Sequence, residues 1–178
     1  MSDFNRAIEF TLHQEGEYTN RSEDLGGETC YGVAVNYWPN DAKKIISLYK
    51  TGEKDEAKKE AILFYRREFW AKIQGDKLRW PLGVVMLDSC VNLGIPRGVK
   101  LLQKECNQQL GSTLKMDGDL GPKTLQVIGT VAPLLLSLGI IARRLKYHVR
   151  RPKSQRDVFL TGWADRCADL LICSYGPE

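Results

Sequence analysis

Apolar residues recur at steps of three and four through most of this chain, a period that predicts helices. In the opening segment Phe4, Ala7, Ile8, Leu12 and Glu15 share one stripe, while Asp3, Asn5, Arg6, Glu9, His13 and Gln14 fill the other faces. The pattern predicts a first helix that Gly16 stops, with a carboxylate at the end of its apolar face. A polar stretch from Gly16 to Glu28 follows, then a β-prone piece from Thr29 to Val35. Asp41 is a candidate cap for a helix carrying Ile45, Ile46, Leu48 and Tyr49 that ends near Gly52. From Lys54, Ala57, Ala61, Phe64, Tyr65, Phe69 and Ile73 mark the inward face of a longer helix.

Pro81 stands where proline favours a helix start. The residues after it, Leu82 to Asn92, are apolar nearly all round and predict a central buried helix. Asp88 and Asn92 lie one turn apart on it and read as a buried hydrogen-bonded pair or as site residues. Gly94-Ile95-Pro96 marks a break, and Val99, Leu101, Leu102, Cys106 and Leu110 outline the next amphipathic helix. A turn at Met116–Pro122 leads to a short helix through Thr124, Leu125 and Ile128. A helix of about twenty residues is expected after Pro133. The last runs from Lys153 to Ser174, with Phe159, Leu160, Trp163, Cys167, Leu170 and Leu171 inside. The expected fold is mainly α, an α+β arrangement with a small β-hairpin and a packed C-terminal helical region.

Composition narrows the functional classes. At 178 residues, 43% hydrophobic and 27% charged, the chain suffices for a real core. A net charge of +4 is too mild for a dedicated nucleic-acid binder but suits a negatively charged polymer. The N-terminus is polar and has no secretory pattern, so synthesis in the cytoplasm is expected, with any action outside it following release or export. The apolar run Val131–Ala142 is too short to span a bilayer, and no stable membrane insertion is expected. Five cysteines, Cys30, Cys90, Cys106, Cys167 and Cys173, are scattered without metal-binding spacing, so reduced and mostly buried thiols are expected. No metal and no cofactor is implied. Asp117-Gly118-Asp119 opens like a calcium loop, but Leu120, Gly121 and Pro122 fill the later ligand positions, so a turn into a helix is expected. The basic segment with Arg143, Arg144, Lys146, His148, Arg150, Arg151, Lys153 and Arg156 reads as a solvated face, or as a contact for wall carboxylates.

Glu15 precedes a dense polar loop containing Glu17, Tyr18, Asn20, Glu23, Asp24, Glu28 and Thr29. A carboxyl desolvated on an apolar stripe would keep its proton near neutral pH, as a general acid must. Glycoside hydrolysis needs such an acid and a second group across the sugar. Asp24 is the natural second carboxylate, and Gly26-Gly27 lets the backbone turn so that Thr29 approaches. The same placement also fits a helix-end residue tethered to the loop. Tyr18, Tyr31 and Trp38 are candidates to stack on a sugar.

The stretch His13-Gln14-Glu15-Gly16-Glu17-Tyr18, followed by Asp24-Leu25-Gly26-Gly27-Glu28-Thr29-Cys30-Tyr31-Gly32-Val33, resembles the glycoside hydrolase family 108 muramidases. Three later segments are similar to that family in the same order: Phe64 to Trp70, Leu87 to Gly94, and Asp117 to Thr124. The last resembles the peptidoglycan-binding region that follows the catalytic part. The resemblance implies a lysozyme-like catalytic region over 1–93 and a helical peptidoglycan-binding region over 94–178. It implies cleavage of the β-1,4 bond between N-acetylmuramic acid and N-acetylglucosamine, with Glu15 as general acid. Asp24 and Thr29 take their roles by similarity to phage-type lysozymes. Tyr18, Glu28, Tyr31 and Asn92 are expected to bind substrate. The expected partners are peptidoglycan glycan strands and peptide stems, approached by a monomer, with no nucleic acid. Phage-type lysis and local wall opening for toxin secretion are both implied. A lytic transglycosylase and a non-catalytic wall-binding module remain alternatives. Glu17 departs from the family's second glycine and would add negative charge beside Glu15. Cys30 replaces the usual asparagine, removing an amide from the loop.

Overall fold

The computed structural model describes residues 3–20 and 26–176. Helix α1 (Asp3–Glu15) buries Phe4, Ala7, Ile8 and Leu12, the stripe expected from the sequence, and adds Thr11, whose hydroxyl is satisfied by the Ala7 carbonyl at 3.0 Å. Three two-residue strands follow: β1 (Tyr18–Thr19), β2 (Thr29–Cys30) and β3 (Val33–Ala34). They pair antiparallel in the order β1-β2-β3, with Tyr18 opposite Cys30 and Cys30 opposite Val33. The β1 strand lies in the stretch read only as polar, because two residues are too few to show an alternation.

Helix α2 (Pro39–Lys50) begins two residues before the expected cap. Pro39 takes the first turn, where its missing N–H costs nothing, and Asp41 sits in that turn near the positive end of the helix. Helix α3 (Lys54–Tyr65) runs into a π-helical turn, Arg66–Trp70. The wider turn shifts the inward face, so Trp70 is fully buried while Phe69 is only half-buried. Helix α4 (Leu82–Leu93) buries every residue from Leu82 to Cys90. Helices α5 (Ile95–Leu110), α6 (Pro122–Gly129), α7 (Pro133–Val149) and α8 (Lys153–Tyr175) complete the chain. The structure is thus mainly α, with a small antiparallel sheet and a packed helical C-terminal region.

Helix α4 is the axis of the fold. It packs against α1 on one side and against α5, α7 and α8 on the others. Buried residues from both halves of the chain, including Phe64, Tyr65, Met86, Leu87, Leu102, Leu136 and Ile140, form one apolar cluster. The expected boundary after residue 93 falls at Gly94, between α4 and α5. Cys30, Cys90, Cys106 and Cys167 are buried free thiols, and Cys173 is half-buried. Burial pushes the Cys90 thiol up to about 12. No single helix among the described residues is long and apolar enough to cross a membrane.

Two expectations for the C-terminal helices are corrected. Phe159 and Leu171 are exposed, because α8 turns Arg166, Cys167, Leu170 and Ser174 toward the core. Arg144 and His148 are buried rather than solvated. His148 stacks on Trp163 with ring centroids 4.5 Å apart, beside the Tyr147 ring. Burial, and then the charges of Arg144, Arg151 and Arg166, lower its pKa to about 4.

That shift has a sign. The unfolded chain takes up a proton at His148 near its ordinary value of 6.5, whereas the folded chain resists until about 4. Stability rises with pH wherever the unfolded state binds more protons. The contribution is therefore whole above pH 6.5 and is lost progressively down to pH 4, by about 3 kcal/mol at most. Denaturant titrations at several pH values should show this loss in the wild type and a flatter profile in His148→Phe. Equal profiles in the two proteins would contradict the assignment.

Candidate active site

Glu15 closes α1, and its side chain is one-fifth exposed. It is not the isolated carboxyl on an apolar surface that the stripe suggested. Its Oε1 pairs with Arg166 Nη2 of α8 at 2.7 Å. The same nitrogen lies 2.7 Å from Asp88 Oδ1, and Arg166 Nε donates to that oxygen at 3.1 Å. Arg144 of α7 pairs with the other Asp88 oxygen. Burial opposes charge on Asp88, yet Arg166 and Arg144 outweigh it and hold the carboxyl below its ordinary range. Burial likewise opposes charge on Arg166, and Asp88 and Glu15 overcome it. A connected run of charge thus extends from the core of α4 to the end of α1. One residue before Glu15, the Gln14 amide donates to Asp169 of α8 at 2.9 Å.

The hairpin brings the other candidates to Glu15. Glu15, Tyr18, Thr29 and Tyr31 line one pocket of about 70 Å³, together with Gly16, Glu17, Thr19 and Gly32. At roughly 10–15 Å³ per water this recess holds a few waters. It shares Gly16, Glu17 and Tyr31 with a hollow of about 280 Å³ that is also lined by Glu9, His13 and Lys58. A larger hollow, about 830 Å³, lies farther along α1 against Trp80 and Ile172 and does not include Glu15. Size alone therefore does not select the site. The convergence of two glutamates, two threonines and two tyrosines does.

Local geometry explains how the hairpin closes. Gly27 has φ +69°, and an added Cβ would stand 3.1 Å from the Asn36 side chain, so the chain turns tightly there. The Asn36 N–H donates to the Gly26 carbonyl at 3.1 Å, and the Thr29 hydroxyl donates to the Gly27 carbonyl at 3.0 Å. Tyr31 is a non-glycine residue at φ +49°, and its carbonyl accepts from the buried Tyr65 hydroxyl at 3.0 Å. Gly32, at φ +77°, sits against Glu15 so closely that a Cβ would come within 2.8 Å of Glu15 Cγ and would strike the Tyr65 hydroxyl. Burial raises the Tyr65 pKa well above its ordinary value, with Glu15 adding to the effect, so its proton stays on this hydrogen bond.

The remaining expected residues take diverse places. Tyr18 stacks on Tyr49 with centroids 5.4 Å apart, and its hydroxyl donates to Glu28 at 2.6 Å. Lys50 pairs with that same Glu28 oxygen, and Lys50 and Tyr18 together hold the Glu28 carboxyl below its ordinary range. Glu28 thus secures the hairpin and does not line the pocket around Glu15. Tyr31 is 6% exposed and contributes an edge. Asn92 lies on the last turn of α4 with Oδ1 buried and unpartnered among the described residues, and it does not line that pocket. Trp38 is packed edge-on to Phe64 and is not a pocket residue. Glu17 directs its charge to Tyr49 at 2.9 Å and Lys54 at 3.8 Å. Cys30 is fully buried beneath the hairpin. Asp24 lies outside the described residues. Asp117 accepts from Gln103 and from the Asp119 N–H in a closed turn, and no metal-binding group of His, Cys, Asp or Glu occurs among the described residues.

Sequence reasoning missed Gly32, Tyr65, Arg144 and Arg166 as parts of this assembly. The signal for the arginines was present: Ile140, Arg144 and His148 follow one helical stripe, as do Trp163, Arg166 and Leu170. A cation on an apolar stripe requires a buried anion, and Asp88 stood on the most apolar helix of the chain.

Residues 8–94 match the family described as glycosyl hydrolase 108. Residues 97–168 match the family described as a predicted peptidoglycan domain. Among solved structures, the chain is similar to the structure of Brucella abortus SagA, with a TM-score of 0.74 and 24% identity, covering 96% of this chain and 92% of that one. Among curated proteins none matches the chain. The two matched regions together support a glycoside hydrolase that acts on peptidoglycan, with peptidoglycan as its partner.

The packing of Gly32 against Glu15 makes a direct prediction. Gly32→Ala imposes both a strained φ and two collisions, so it should lower the melting temperature and reduce peptidoglycan hydrolysis at least about tenfold. Turbidity loss of purified cell walls, with melting followed by circular dichroism, checks it. Full activity in this variant would show that the contact does not set the site.

Proposed function

We propose that this glycosyl hydrolase 108 region cleaves the β-1,4 bond between N-acetylmuramic acid and N-acetylglucosamine, with Glu15 as the general acid. The observation that supports the reading is that Glu15 lines one pocket with Thr29, Tyr18 and Tyr31, inside the matched region. Because Arg166 occupies Oε1, the proton passes from Oε2 to the glycosidic oxygen as the bond to the anomeric carbon breaks. Positive charge then develops on the sugar ring. Thr29 and Asp24 serve the water side: one water attacks the anomeric carbon and passes its proton to the Asp24 carboxylate, leaving a new reducing end on one sugar and a free hydroxyl on the other. Tyr18 offers aromatic surface at the rim, and the buried Tyr31 adds an edge. The peptidoglycan region presents the strand, so that cleavage follows wall binding.

Glu15→Gln retains the size of the side chain and removes its proton. It should cut the rate of reducing-end release from purified peptidoglycan by roughly 10²–10⁴-fold, with wall binding unchanged in a pull-down. Mass spectrometry of wild-type products should show fragments carrying one added water. Anhydro products would establish a lytic transglycosylase instead. Equal inertness of both proteins, with binding retained, would establish a wall-binding module.

A further inference from the structure

We propose that Arg166 is a positioning residue for Glu15, so that the peptidoglycan-domain region supplies part of the hydrolase site. This rests on the reading of Glu15 as the general acid. Arg166 belongs to α8 and to the 97–168 match, while Glu15 and Asp88 belong to the 8–94 match. The guanidinium is fixed before it meets Glu15. Its Nε and Nη2 both contact Asp88, at 3.1 and 2.7 Å, and Asp88 is itself completely buried and paired with Arg144. A planar fork held on one carboxylate has little freedom left, so the direction of its remaining contact is set. Nη2 directs that contact to Glu15 Oε1 at 2.7 Å.

The carboxyl plane is then constrained from three sides. Arg166 holds Oε1, Gly32 packs against Cβ and Cγ, and the Tyr65 hydroxyl closes the space beside Gly32. Asp169, one turn along α8, grips Gln14 on the neighbouring position of α1. Helix α8 thus aligns the end of α1 through two polar contacts, and only one of them reaches the acid. The two oxygens of Glu15 have different roles in this arrangement, since Oε1 anchors the side chain and Oε2 reacts. A lysine cannot replace the arginine, because one ammonium lacks the fork that spans Asp88 and Glu15 together.

The test compares wild type with Arg166→Lys, Arg166→Gln and Glu15→Gln in the full chain, by reducing-end release across a range of purified peptidoglycan concentrations. Removing the guanidinium fork frees the Glu15 carboxyl to turn away from the glycosidic oxygen, which slows the chemical step without weakening capture of the strand. Both Arg166 variants should therefore lose about tenfold in kcat, with KM within twofold of wild type. Arg166→Lys keeps a cation on Asp88 and carries the measurement if Arg166→Gln does not fold. Wall binding should stay within twofold, which separates positioning from strand capture. A kcat within twofold of wild type, or a loss carried by KM alone, overturns the role of Arg166. If Glu15→Gln hydrolyses as wild type does, the underlying acid assignment fails first and the proposal with it.

Discussion

Asp88 is a bare carboxylate in the middle of the most buried helix of this protein, and the rest of the structure answers to it. A charge there is tolerable only if it is paired and hydrogen-bonded. Arg144 and Arg166 supply that pairing from α7 and α8, so helices distant in sequence are tied to α4 at one depth and one rotation. Apolar packing alone is forgiving of small rotations, whereas two guanidinium groups on one carboxylate are not. The buried charge adds little net stability by itself. Its effect is to fix register, and register is what delivers Arg166 to Glu15.

The site is assembled outward from that anchor. Helix α1 packs on α4, which sets the height of Glu15, and α8 fixes its orientation. The hairpin folds back over the end of α1 through Tyr31 and Gly32, with Tyr65 of α3 tying the Tyr31 carbonyl from beneath. Tyr49 and Lys50 of α2 hold the outer edge through Tyr18 and Glu28. A two-residue-strand sheet has little stability of its own, and here it borrows rigidity from the helices around it. The residues around the Glu15 pocket sit on that borrowed frame, beside a run of hollows along α1.

Much of this was legible in the residues. The stripe of α1, the apolar helix α4 and the turns at Gly94 and Gly118 follow from period and from glycine and proline placement. Motif order placed Glu15, Tyr18, Thr29 and Tyr31 together, and the structure gathers these four around one pocket. What period could not reveal was partnership across the chain. Asp88 and Asn92 share a helix face and invite pairing with each other, yet Asp88 is satisfied by residues 56 and 78 positions away. Glu28 looked like a substrate ligand because it belongs to the motif, but Lys50 and Tyr18 claim it. The basic segment looked solvated because charges usually are. Arg144 and His148 broke that expectation because they lie on the inward stripe of α7.

The central claim is that Glu15 is the atom-level donor to a glycosidic oxygen, in a place set by Asp88 and Arg166. The most direct measurement is a crystal structure of Glu15→Gln bound to a soluble peptidoglycan glycan fragment. The account predicts the glycosidic oxygen within about 3 Å of the side chain at position 15, Thr29 facing the same sugar, and Arg166 still on Asp88. A glycan seated instead in the hollow beside Trp80 and Ile172, with its glycosidic oxygens far from position 15, would contradict it.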